Sequence, residues 1–467
     1  MLTAKLQIIS LCSNKATYDN CSGSRCCIIQ PRANETKEGM LMIYLVAITL
    51  SIIWFILLKL SYRFGYIHIV FIFLTFQCMA VVSIGIENNN NMPALIFMSG
   101  MIGLLLGLMI GNKNSSGQPQ IINIRLKLKK RNQHNRMLLL FVAFITLGVI
   151  YHYAVGGMPI FSPNIITDRF DNNTSGLFGL PGRINLFGTY FAFFLAAISF
   201  LSTGDLKTKR IAIYSAVLLL VSLALGGNKG NIIQFIAAVI FLSPYATKPI
   251  NSYIQIKHKG FNLKYYILGA AIAVLFYTSV SSVHMSAGDR LYGSASEAII
   301  KRIFEISGQA FYVVATELIE NEGYGYGKYL LNDMVAFLSN LGIVSGGGFT
   351  TTQIASSYVT GRALDAGLFL VPVTITSNGY FLVEFGYFGP IVFSTVLGVI
   401  MSYLYYAPLM TKNITYRAFF IFAQAFVFWF VTKGSLGYYG PNMLIMAVFF
   451  FVLLTTISSL MTKGFIK

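Results

Sequence analysis

The residues best suited to chemistry in this chain are cations in unexpected places. Arg169, Arg183, Lys229, Arg290, Lys301, Arg302, Lys328, Arg362 and Lys433 fall in loops that also hold nearly all the acids. Lys and Arg ordinarily gather on the opposite, cytoplasmic face of a membrane protein, so a strongly anionic ligand is expected to hold cations here. Arginine suits phosphate because its planar fork reaches two oxygens at once. The candidate phosphate-binding set is Arg169, Arg183, Lys229, Arg290, Arg302 and Arg362. Each has a plainer alternative. Asp168 and Asp171 flank Arg169 and could pair with it, Arg183 could snorkel where a span begins, and Lys229 sits in a simple glycine turn, Gly226-Gly227-Asn228-Lys229-Gly230. That turn is not a P-loop, because no Ser or Thr follows the lysine. Gln353, Tyr358 and Tyr380 suit a hydroxyl-rich ligand. Glu384, in an apolar aromatic run, suits general acid–base work, with a capping or ion-pairing carboxylate as the alternative. Asp289 and His284 are the next candidate bases.

The elements that must position these groups are membrane spans. The chain is 55% hydrophobic and only 11% charged, with a mean hydropathy of +0.67. Soluble domains carry about 25% charged residues. Apolar runs of about 20 residues predict α-helical spans rather than the alternating strands of a β-barrel. Eleven are expected, near 41–60, 66–86, 93–111, 137–155, 184–202, 211–226, 231–247, 265–283, 387–407, 418–432 and 441–461. With alternating spans, the basic linkers fall on one side: 112–136 with Lys113, Arg125, Lys127, Lys129, Lys130, Arg131 and Arg136, then 203–210, 248–264 and the C-terminal tail. The net charge of +18 is thus a topology signal and an attraction to anionic lipid, not a nucleic-acid surface.

The fold class expected is an all-α polytopic integral membrane protein. It divides into an N-terminal extension (1–40), spans at 41–155, a first large outer loop at 156–183, central spans at 184–283, a second outer segment at 284–386 forming a small helical domain, and C-terminal spans at 387–467. Within the second segment, 298–318 reads as an amphipathic helix, 329–341 as a more apolar one, and 368–376 as a re-entrant or interfacial stretch. Met40, directly before the first span, is expected to be the initiator, the alternative being a disordered extension. Cys12, Cys21, Cys26 and Cys27 precede it without paired C-x-x-C spacing or a nearby His, so no zinc site is expected.

The stretch Gly157-Met158-Pro159-Ile160-Phe161 with Arg169 downstream, the glycine turn with Lys229, and Tyr380…Glu384-Phe385-Gly386…Gly389 together resemble the bacterial O-antigen polymerases, the Wzy-type polymerases of oligosaccharide repeat units. The resemblance covers roughly 41–461. It implies a bundle in the bacterial inner membrane with two large periplasmic loops carrying functional arginines. It also implies an undecaprenyl-diphosphate-linked oligosaccharide as substrate, no cofactor or metal, no nucleic acid, and a chain-length regulator as a further partner. The reaction expected is inverting glycosyl transfer. The cations would bind the diphosphate, Gln353, Tyr358 and Tyr380 the sugars, and Glu384, Asp289 or His284 the acceptor proton. Two other readings stand beside it. One is an O-antigen ligase, which would place a His–Arg pair in the large loop. The other is a flippase or transporter, which would need ionisable residues inside its spans.

Overall fold

The computed structural model describes residues 33–60, 62, 65–114, 128–162, 179–226, 231–245, 307–344, 349–361, 364, 373–434 and 436–462. Among them 88% are helical and none is in a strand. The helices are α1 (Ala33–Lys59), α2 (Tyr66–Glu87), α3 (Met92–Asn114), α4 (Leu128–Gly156), α5 (Leu180–Thr203), α6 (Leu206–Leu225), α7 (Asn231–Phe241), α8 (307–322), α9 (Lys328–Asn340), α10 (Thr351–Thr360), α11 (Thr376–Phe385), α12 (Gly389–Met410), α13 (Ile414–Lys433) and α14 (Leu436–Thr462). Among the described residues, nine helices, α1–α6 and α12–α14, are long and apolar enough to cross a membrane, and the chain is a multi-pass membrane protein. These nine coincide with nine of the eleven expected spans. The expected span 231–247 contains the shorter α7, and 265–283 lies outside the described residues.

Three boundaries move. Helix α1 starts at Ala33 rather than 41, and α4 takes in Lys129, Lys130, Arg131 and Arg136, which the charge pattern assigns to a linker. Lys and Arg are good helix formers, so a basic flank can continue a span beyond its apolar run. Helix α5 starts at Leu180 and includes Arg183, placing that arginine in a helix rather than at the end of a loop.

The tightest contact in the bundle is between α3 and α12. Lipid tails are as apolar as leucine, so spans associate through close packing, which small residues permit. Gly100, Gly103, Gly107 and Gly111 line one face of α3 at spacings of three and four. A Cβ on Gly107 would collide with Thr395 O and lie 2.8 Å from Gly398 Cα, and one on Gly398 would collide with Leu104 O. Backbone therefore lies directly on backbone along this seam. At one end Tyr62 donates to Leu108 O (2.9 Å) and sits 2.7 Å from Ser402 Oγ, while Tyr66 donates to Met401 O. At the other end Asn378 of α11 fills the space that Gly100 leaves. Its Nδ2 donates to Phe97 O (3.3 Å), and its Oδ1 accepts from Ser394 Oγ (3.1 Å).

Helix α5 is the most enclosed span. It is aromatic on several faces, as a helix surrounded by other helices must be. Phe187 and Tyr190 meet Trp429 of α13, and Phe191 stacks on Phe450 of α14 at 5.1 Å and 8°. Helices α8–α11 are each too short or too polar to join the nine spans and pack on them instead, α8 against α2 and α9 against α14. Gly308 makes the first of these contacts possible, since a Cβ there would fall 2.6 Å from Ala80 Cβ.

Gly107→Ala is expected to lower the thermal midpoint of the detergent-solubilised protein, costing about 1–3 kcal/mol, the range for overpacking a close contact. Gly440→Ala in α14, whose added Cβ would meet nothing nearer than 3.9 Å, is the neutral control. An unchanged midpoint for Gly107→Ala would remove the seam from the account.

Candidate functional site

The short helices are held together by two buried carboxylates, each placed at the N-terminus of a helix other than its own. The first turn of a helix has backbone N–H groups without internal acceptors and a partial positive charge. The N-cap position of helix α9 is Gly327, which has no side chain to cap it. Glu384, 1% exposed at the end of α11, supplies the cap: one oxygen accepts from Gly327 N (2.6 Å) and the other from Leu330 N. The backbones add two more bonds, Gly325 N to Val383 O (2.7 Å) and Tyr326 N to Glu384 O (2.9 Å). Asp333 of α9, fully buried, repeats the device on α10, where its Oδ1 accepts from Thr351 N (2.6 Å) and Thr351 Oγ1 (2.8 Å). Glu384 caps α9 and Asp333 of α9 caps α10, so the three helices form a relay.

Two tyrosines stand beside these carboxylates. Tyr380 and Tyr329 are 2% and 1% exposed, and neither hydroxyl has a hydrogen-bond partner among the described residues. Burial pushes the Tyr380 hydroxyl far above its ordinary pKa, and the nearby Asp333 and Glu384 carboxylates push it in the same direction. The entry to α11 is also constrained. Thr376 is β-branched and buried, yet has φ +63, a conformation that costs on the order of 1–3 kcal/mol. It is pressed against the end of α13, where Gly434 leaves room for Thr376 O and Lys433 O accepts from Ile375 N (3.3 Å).

Arg183 lies where α5, α9 and α14 meet. It is 9% exposed, so its guanidinium does not snorkel into water. Its Nε donates to Asn442 Oδ1 (2.6 Å), and its guanidinium lies 5.9 Å from the centre of the Phe337 ring. A turn of π-helix, Ile184–Gly188, follows it immediately, a local irregularity that frequently marks functional sites. Asn185 within that turn joins a buried polar network: its Nδ2 donates to Tyr153 Oη (3.1 Å), Ser222 Oγ donates to its Oδ1 (2.7 Å), and the Tyr153 hydroxyl donates to Ser222 O (2.6 Å).

Of the residues singled out in the sequence, Arg169, Lys229, His284, Asp289, Arg290, Lys301, Arg302 and Arg362 lie outside the described residues. Gln353 completes a capping box on α10, its Oε1 accepting from Thr350 N (2.9 Å). Tyr358 donates to Glu322 Oε1 (3.1 Å), and its pKa is raised by burial and by that carboxylate. The expected helix 329–341 is α9, shifted by one residue. The helix expected over 298–318 is described from Ser307 and continues to Glu322 through a second π-turn, Val314–Leu318. Thr376, expected to close a re-entrant stretch, instead opens α11. Asp333, Asn185 and Asn442 escaped the sequence reading. The signal available was a polar side chain within an apolar helix, each of which needs a partner. Comparison with known proteins returns no match to any protein-family model, curated protein or solved structure.

Glu384→Ala leaves two first-turn amides of α9 without their acceptor and is expected to cost about 1–3 kcal/mol. Limited proteolysis should show new cleavage near 324–330, since α9 loses its anchor there. Tyr380→Phe removes an unpartnered hydroxyl and is expected to leave the thermal midpoint unchanged or raised. If Glu384→Ala retains both the midpoint and the cleavage pattern, the carboxylate is not a structural cap.

Proposed function

We propose that the chain is an O-antigen polymerase of the bacterial inner membrane, joining undecaprenyl-diphosphate-linked repeat units at the periplasmic face. In the inverting transfer, a hydroxyl oxygen of the acceptor repeat unit attacks the anomeric carbon of the donor chain. The bond from that carbon to the diphosphate oxygen breaks, the lipid diphosphate leaves with the electron pair, and the acceptor proton passes to a base. Negative charge grows on the leaving diphosphate, so preorganised cations stabilise the transition state. Holding two lipid-anchored reactants together supplies a further share of the rate.

The observation that carries this reading is the buried Arg183 at the junction of the spans with the short helices, oriented by Asn442 and Phe337. A cation in a low-dielectric setting at the end of a span is the electrostatic feature that a lipid-linked diphosphate requires. The relay of α9, α10 and α11 gives this junction a rigid wall. Glu384 enters as a positioning residue, because both its oxygens accept backbone amides. Asp289 and His284 remain the proposed bases, and Arg169, Lys229, Arg290, Arg302 and Arg362 the proposed further diphosphate contacts.

The test is lipopolysaccharide banding in a strain lacking its own copy. Deletion is expected to leave single repeat units on the core, and the wild-type chain to restore a ladder. Arg183→Ala, present in the membrane at wild-type level, is expected to give single-repeat bands, and Arg183→Lys to give a weakened ladder because an ammonium lacks the planar fork. Bare core after deletion would overturn the polymerase reading in favour of a ligase or flippase.

A further inference from the structure

Three tyrosines form a surface that packing does not explain. Tyr324 meets Tyr326 edge-on at 6.2 Å and Tyr387 at 5.9 Å. Tyr326 is 77% exposed and Tyr387 48%. Tyr326 also has φ +48, in the left-handed region that costs a residue with a side chain about 1–2 kcal/mol. Its ring is mostly in the open, so its own burial does not offset that strain. The turn is nevertheless held firmly, by the bonds from Gly325 N and Tyr326 N to the end of α11 and by the Tyr324 ring lying 3.5 Å from the space above Gly386. The chain thus presents an aromatic surface on a rigid and strained support, a pattern associated with ligand contact.

The surroundings narrow the ligand. Helix α8 ends in the exposed Glu320 and Glu322 directly before Tyr324, and Lys328 pairs with Glu322 at 3.1 Å. The described charges beside the turn, Glu322 and Lys328, therefore cancel, which leaves no net cation to hold a diphosphate or an anionic lipid headgroup. They suit a neutral polyhydroxyl ligand, whose hydroxyls can donate to carboxylates while its C–H face covers an aromatic ring. Burial, with a hydrogen bond to Tyr387 beside it, pushes the Tyr324 hydroxyl up to about 12, so the ring stays neutral. We propose that Tyr324, Tyr326 and Tyr387, rimmed by Glu322 and Lys328, form a saccharide-stacking platform separate from the buried arginine. It rests on the polymerase reading for the source of the glycan but not for the binding chemistry.

The experiment uses the full chain in zwitterionic nanodiscs, titrated calorimetrically with the strain's own O-polysaccharide released by mild acid. The paired substitution Tyr326→Ala with Tyr387→Ala is expected to weaken binding by about tenfold or more, the scale of lost aromatic anchors. Tyr326→Phe with Tyr387→Phe keeps the stacking surface and is expected to stay within about threefold of wild type. Equal binding by the alanine pair, or no binding by the wild type, overturns the platform. So does an unmoved titration accompanied by a lowered thermal midpoint of the alanine pair in the nanodiscs, which would make the rings membrane-interface anchors. Bare core in the deletion strain alongside ring-dependent glycan binding would overturn the polymerase reading and leave the platform standing.

Discussion

The α3–α12 seam is the contact on which the seating of α11, and through it the carboxylate relay, depends. Between apolar helices in lipid there is no hydrophobic gain from association, so affinity comes from how closely two backbones approach. Gly103, Gly107 and Gly111 on α3 and Gly398 on α12 remove side chains that would keep these helices apart. Their close approach brings Phe97, Gly100 and Ser394 around Asn378. That asparagine seats α11 on the bundle, and α11 in turn carries Glu384 to its place below α9. A small change in helix separation would therefore be transmitted to the carboxylate relay, since packed interiors do not deform continuously.

Charge is handled in two different ways around this frame. Acids are used as remote caps: Glu384 and Asp333 are both buried, and each satisfies backbone N–H groups that its target helix cannot satisfy alone. A buried carboxylate is tolerable when its oxygens accept hydrogen bonds, and the helix dipole adds to the attraction. The buried arginine is handled with a neutral amide and an aromatic face. These neighbours orient the guanidinium. The aromatic surface at Tyr324–Tyr326–Tyr387 differs chemically from this arginine, and under the proposed function the two would serve different parts of one substrate, the sugar and the diphosphate.

Two of the three described non-glycine residues at positive φ sit at the two ends of this assembly. Thr376 opens α11 against the end of α13, and Tyr326 turns into α9 against the end of α11. Both adopt positive φ without being glycine, and both lie where one helix is fitted against the terminus of another. Strain of this kind persists only where surrounding contacts over-determine the backbone, which identifies α9–α11 as a rigid attachment to the spans.

Sequence alone determined the class of protein, nine of its spans and the position of α9 to within a residue. These follow from hydropathy and length, which are local properties. The glycine spacing at 100, 103, 107 and 111 stands in the sequence, but its use as a packing face emerged only with the partner helix. Tertiary structure decided what the polar residues do. Glu384 stood out as a carboxylate in an apolar run, but the amides it caps lie 57 and 54 residues away in the chain. Arg183 was visible as a cation at the start of a span, yet its burial depends on Asn442, 259 residues distant. A side chain's role is set by its neighbours in space, and in a bundle of long helices those neighbours come from segments whose pairing no local pattern encodes.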